Sequence, residues 1–185
     1  MTKGKFLFIA AAAGAIAFPA EAAITVIGNT AARTCYELTE SAGTPSFDSI
    51  ARCDEALAGS LSSYEQVATL VNRGILKLRL RQVDAAMADF DAAIARDPGQ
   101  AEAYLNKGMA ALHLDNGWQQ AVPLFDTALG KGTSRPEIAY FGRAVAHEMG
   151  GQVKAAYFDY RQASRLAPKW GDPKAELARF TVRQP

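Results

Sequence analysis

Few residues in this chain could carry catalysis. Its 185 residues include two histidines and two cysteines, little material for a metal cluster or for a nucleophile with its base. No H-E-x-x-H, G-x-S-x-G or glycine-rich phosphate loop occurs. His147-Glu148 reads as a solvated or inter-helix pair. Neither a catalytic residue, a metal ligand nor a cofactor is expected, and the chain is read as not an enzyme. A formal net charge of +1 lacks the basic surplus of a nucleic-acid binder, so no nucleic-acid partner is expected.

The remaining reactive pair is Cys35 and Cys53. In an exported protein an even cysteine count favours a disulfide, and closing that loop would stabilise by about 3 kcal/mol. Two buried reduced thiols are the alternative. The spacing is not the C-x-x-C of a redox pair.

Export is suggested by residues 1–22. Lys3 and Lys5 precede an apolar run from Phe6 to Phe18, then Pro19 and Ala20-Glu21-Ala22, an A-x-A site with expected cleavage after Ala22. The run of 13 residues is short against the roughly 20 that span a bilayer; an uncleaved anchor is the alternative. No cysteine ends the run, which argues against a lipid anchor. The expectation is a periplasmic or secreted protein, with no integral membrane segment after processing. Removing Lys3, Lys5 and Glu21 leaves the remainder neutral. At 49% hydrophobic and 21% charged residues the full chain has a globular composition with material for a core, not that of a collagen-like, disordered or polytopic membrane chain.

Stepping along the chain, a period of 35 residues organises most of it. Ala86, Ala121 and Ala156 recur at that interval, as do Phe90, Phe125 and Tyr160, and Ala93, Ala128 and Ala163. Within each copy, as in Ala86, Phe90 and Ala93, the offsets of four and three residues place the side chains on one face of a helix. A second helical segment precedes each: 70–78, 104–112 and 140–149. Asn116-Gly117 and Gly150-Gly151 mark turns, where glycine takes a positive φ cheaply. Asp97-Pro98 and Ala167-Pro168 stop the second helices. Against this register His113 and His147 differ by two positions, about 200° around a helix, so they do not converge. Gly74, Gly108 and Ala144 put a small residue on each first helix. Facing Ala86, Ala121 and Ala156, they would let the two backbones approach, with the aromatic residues filling the space between units.

These residues resemble the tetratricopeptide repeat, a helix–turn–helix unit. Leu70, Gly74, Ala86, Phe90, Ala93 and Pro98 match one copy. Tyr104, Gly108, Ala121, Phe125 and Ala128 match a second, with one extra residue in the turn. Tyr140, Ala144, Ala156, Tyr160, Ala163 and Pro168 match a third. The departures are Arg73, Lys107 and Arg143 where the family has Leu, and Arg81-Gln82 where glycine is common.

The resemblance implies an all-α fold, repeats stacked in a right-handed superhelix. The expected organisation is a signal peptide over 1–22, a degenerate helical hairpin over 23–66 stapled by Cys35 and Cys53, three repeats over 67–168 and a capping helix over 169–185. In the hairpin Cys53 stands where Phe90 does. At the other end Trp170, Leu177 and Phe180 would close over the third repeat.

In this family the first helices line a concave face. That mapping gives a candidate groove of Val71, Asn72, Ile75, Arg79, Leu105, Asn106, Met109, Leu112, Phe141 and Val145, apolar and edged by amides. It fits a protein or peptide partner with spaced apolar anchors. Three alternatives stay open: the residues pack helix to helix, residues 23–32 of the same chain cover them, or the groove closes on a second copy in a self-associating homodimer. The lysines of a carboxylate clamp are absent, with Ala68 and Val71 in their place. Arg73, Lys107 and Arg143 could form a basic ladder, or pair with acids such as Asp89 and Asp126, the reading favoured here because such pairs are common. Ala121→Leu is expected to overpack the helix contact and lower stability by about 1–3 kcal/mol, measured by urea unfolding.

Overall fold

The computed structural model describes residues 22–28 and 30–180. Residues 1–21 of the expected leader and residues 181–185 of the expected cap lie outside the described residues, while Ala22, the last residue of that leader, is described and buried. Those described form nine helices and no strand: α1 (Thr30–Glu40), α2 (Phe47–Ala58), α3 (Ser63–Arg79), α4 (Val83–Arg96), α5 (Ala101–Ala111), α6 (Trp118–Gly130), α7 (Pro136–Met149), α8 (Val153–Leu166) and α9 (Asp172–Leu177). Pairs α3/α4, α5/α6 and α7/α8 are the three repeat units, preceded by the α1/α2 hairpin and closed by α9. First helices touch across units (α1 to α3, α3 to α5, α5 to α7), while no comparable contact joins α4 to α6 or α6 to α8. The stack therefore bends with its first helices on the inner side.

Local signals set the ends. Ser62 and Glu65 form a capping box, with the Ser62 N–H donating to Glu65 Oε2 at 2.9 Å. This starts α3 at Ser63, four residues before the boundary expected from the repeat, because the box satisfies orphan amides there. α4 and α8 end at Arg96 and Leu166, ahead of the two prolines.

The turns differ from expectation. In the turn inside each unit the residue with positive φ is Arg81 (62°), Asn116 (55°) or Gly151 (73°), at the same register each time. Gly117 and Gly150 have φ of −62° and −83°. Gly117 is required for space instead: a Cβ there would lie 1.7 Å from the Ala111 carbonyl oxygen. Arg81 holds the left-handed position without glycine, at a cost of about 1 kcal/mol.

The nine periodic core residues, from Ala86 to Ala163, are all buried. Their packing also corrects the expectation. The glycines make room for rings, not for the backbone of the second helix. A Cβ on Gly74 would lie 2.5 Å from Phe90 Cε1, and one on Gly108 2.8 Å from Phe125 Cε1. Phe125 lies equally on the next unit, where a Gly142 Cβ would come within 2.4 Å of its Cζ. In the hairpin the Cys35–Cys53 disulfide, with S–S 2.05 Å, stands where the other units have a ring on a small residue, and packs with Ile50 and Leu76. At the far end Trp170, Leu177 and Phe180 pack on Phe141 and Tyr160, with ring centroids 4.7 Å apart for Phe141–Trp170.

Gly142→Ala should cost about 1–3 kcal/mol, because the ring of Phe125 has nowhere to retreat. Gly130→Ala, at the end of α6 with nothing within 4 Å, should instead stabilise by about 0.4–1 kcal/mol. Urea unfolding of the two variants checks the opposite signs.

Candidate functional site: the inner seam

The inner wall does hold an extended polypeptide, and it belongs to this chain. Ala22, Ile24 and Val26 are buried in the same apolar core as Val71, Ile75, Leu105 and Met109. Thr25 and Ile27 between and beyond them are exposed, Ile27 to 87%. Alternate burial is the period of an extended strand. The covering segment is thus Ala22–Val26, shorter than the 23–32 considered from sequence, since residues from Thr30 onward belong to α1.

Two asparagines hold this segment. Asn72 and Asn106 are 0% exposed, not at a groove edge as expected. Asn72 Oδ1 accepts from the Ile24 N–H at 2.9 Å, and its Nδ2 donates to the Ile24 carbonyl at 2.9 Å. One side chain thereby reads both polar groups of one residue, independently of what side chain that residue bears. Asn106, at the corresponding place one unit on, donates from Nδ2 to the Ala22 carbonyl at 3.1 Å and to the Glu102 carbonyl at 2.9 Å. Its Oδ1 is buried and has no partner among the described residues. The cause is a mismatch of step: two residues of extended chain advance about 6.7 Å, while packed helices lie about 8–10 Å apart. The third unit has Gly142 at this register, occupied by the ring of Phe125, so the asparagine series stops at two. Tyr64 adds a hydrogen bond from its hydroxyl to the Thr25 carbonyl at 2.8 Å.

The segment is held marginally. Burying Ile24 and Val26 stabilises by about 3–6 kcal/mol together, and each hydrogen bond adds about 1 kcal/mol. Ordering five residues costs about 5–10 kcal/mol, so the two sides nearly cancel.

The other expected groove residues separate. Phe141 and Val145 belong to the C-terminal core with Tyr160 and Trp170, because Trp170, in the turn before α9, packs its ring on Phe141. Leu112 is half-buried and packs against both cores. Arg79 reaches back to the end of α1, donating to the carbonyls of Thr39 at 2.8 Å and Ser41 at 3.3 Å; it caps a helix. No sequence motif pointed to the Ala22–Val26 contact; the alternation of Ala22, Ile24 and Val26 was the signal available.

Away from the seam, the basic residues pair with acids. Arg73 bridges Asp54 and Asp89, Lys107 meets Asp91, and Arg143 bridges Asp126 and Asp159. The Asp159 hydrogen bond, foremost, raises the Arg143 pKa above its ordinary value. For Arg73 burial works against the charge, but Asp89 and Asp54 outweigh it and the pKa is raised. His147 lies against Gln152 and Asp159, while Glu148 accepts from the Tyr160 hydroxyl at 3.0 Å. Burial, then the Glu148 carboxylate, push the Tyr160 phenol well above its usual pKa. The described residues bring together no group of three or more His, Cys, Asp or Glu able to hold a metal ion. Among them no helix is long and apolar enough to cross a membrane.

A bent stack of two-helix units, each placing a ring on a small residue, defines a helical-repeat protein. The chain belongs to the tetratricopeptide repeat family, whose pattern matches residues 71–117 and 115–169. No curated protein matches. Among solved structures, the chain is similar to the TPR domain of Arabidopsis OM64, at 25% identity and TM-score 0.60, covering 64% of this chain and 96% of that one. It also resembles the MamA RS-1 ArsTM double mutant, at 18% identity and TM-score 0.60, covering 70% of each chain. A crystal structure of MamA matches at 19% identity and TM-score 0.59, over 70% of this chain and 72% of that one. The last two likenesses concern the fold alone. TPR repeats generally mediate protein–protein interaction, and the family is typically non-catalytic.

Asn72→Leu leaves the Ile24 N–H and carbonyl without their partner and should weaken docking of the segment by about 1–3 kcal/mol. The expected readout is faster amide exchange at Ile24, with protection inside α4 unchanged.

Proposed function

We propose that the protein is a non-enzymatic interaction module of the cell envelope, periplasmic or secreted, that holds an extended segment of a partner protein along its inner seam. The observation that carries this reading is the two-point hold of Asn72 on the Ile24 backbone. An amide that reads N–H and carbonyl together selects an extended conformation, while the apolar wall of Val71, Ile75, Leu105 and Met109 selects the side chains that face it. Export is supported by the leader-like residues 1–22 and by a disulfide in the hairpin, a bond favoured outside the reducing cytosol.

The test is capture from envelope extract, using a photo-crosslinker at the half-buried Leu112 and comparing the wild type with an Asn72→Ala/Asn106→Ala variant verified as folded. A partner crosslinked to the wild type and reduced at least tenfold with the variant is the expected result. Equal recovery by both overturns the reading. Recovery of the chain itself alone replaces it with self-association through the seam.

A further inference from the structure

We infer that the segment running through Ile24 and Val26 is a resident placeholder that gates the seam, and that it yields to a partner's extended segment carrying two β-branched residues at alternating positions; cleavage after Ala22, which the proposed export implies, removes the carbonyl that Asn106 holds and leaves Ile24 and Val26 as the resident. This rests on the reading above and adds how the site is regulated and what it accepts. The pattern is read directly from the occupant: Ile24 and Val26 face the wall, while Thr25 is exposed.

Three observations make the occupant replaceable. Nothing covalent ties it to the wall, and its burial and ordering nearly balance. The chain leaves the seam through Ile27 and Gly28, both exposed, so the segment is not buried beyond Val26. Most directly, the fit is incomplete. Both polar atoms of the Asn72 amide are bonded, but Asn106 keeps a buried acceptor with no partner among the described residues. A strand that presents an N–H there would gain about tenfold over the resident.

The same shortfall indicates the kind of partner. A second copy of this chain would bring an identical segment with the identical mismatch at Asn106. It would gain nothing over the tethered one and would lack the high effective concentration of the tether. The occupant that wins is therefore a different protein's extended segment.

The experiment uses the full chain and a synthetic peptide with the sequence of residues 22–27, acetylated and amidated, beside a scrambled peptide. Affinities are measured for the wild type, Ile24→Asp and Ile24→Asp/Asn72→Leu, each checked by circular dichroism. The peptide is expected to bind Ile24→Asp at least tenfold more tightly than the wild type, and to lose that binding when Asn72→Leu is added. In the wild type, raising the peptide concentration should speed amide exchange at Ile24 progressively and leave Phe90 unchanged. That measurement needs no variant to fold. Equal affinity for wild type and Ile24→Asp, with Ile24 protection unmoved, overturns the gate while leaving seam capture standing. Equal binding of the scrambled peptide overturns the side-chain pattern alone. Binding to none of the three proteins overturns both this inference and the reading it rests on.

Discussion

An aromatic ring lying on a backbone with no side chain is the contact on which this stack depends. Phe90 rests on Gly74, and Phe125 rests on Gly108 and Gly142 together. Because the last ring touches glycines of two units, it sets the spacing between them as well as the packing within one. Close-packed interiors leave no slack for an added methyl group at such places. Asn72 and Asn106 lie one step earlier, in the first and second units, and the step between those units sets their separation along the inner seam. The half-satisfied state of Asn106 follows from the same geometry, since helix packing and strand advance have different natural steps. At the N-terminal hairpin the ring is replaced by the Cys35–Cys53 bond, which supplies covalently what a small side chain cannot supply by contact.

Ion pairs repeat the stacking pattern on the other side of the first helices. Asp54 with Arg73, Asp91 with Lys107, and Asp126 with Arg143 each join the second helix of one unit to the first helix of the next. The acids are more than half exposed, at 55%, 56% and 53%, so these pairs contribute little individually. Their regular placement favours one register of stacking over others. In the first and third units the arginine also bonds an acid of its own unit, Asp89 or Asp159, which is nearly buried. The second unit lacks this, having Leu124 at that register.

Much of this architecture was legible in the sequence because it is local. Residues 35 apart share an environment in a stack, so Ala86, Ala121 and Ala156 announce themselves by recurrence, as do the rings and the basic residues. The capping box at Ser62 and Glu65 is equally local, but it was hidden by taking the unit's start from the repeat alone. The seam was legible only in part. Val71, Ile75, Leu105 and Met109 follow from helix periodicity, whereas the hold of Asn72 on Ile24 spans 48 residues and that of Asn106 on Ala22 spans 84. No period links residues so far apart. Phe141 and Val145 left the expected groove for a similar reason: Trp170, whose ring packs on Phe141, lies outside the repeat and has no periodic signal. Gly142 was passed over because the family pattern points to Ala144, two residues later.

Those long separations also bear on the order of assembly. Helical repeats form from contacts between sequence neighbours and nucleate quickly, while contacts across large loops form late. The first residues of the segment to leave a ribosome are therefore among the last to find their place. Until Ala22–Val26 docks, the walls of α3 and α5 are bare and two amide side chains are unmatched inside them. A newly made molecule thus passes through an interval in which its inner surface is open to any strand nearby, and the first competent strand to arrive does so before the chain has closed on itself.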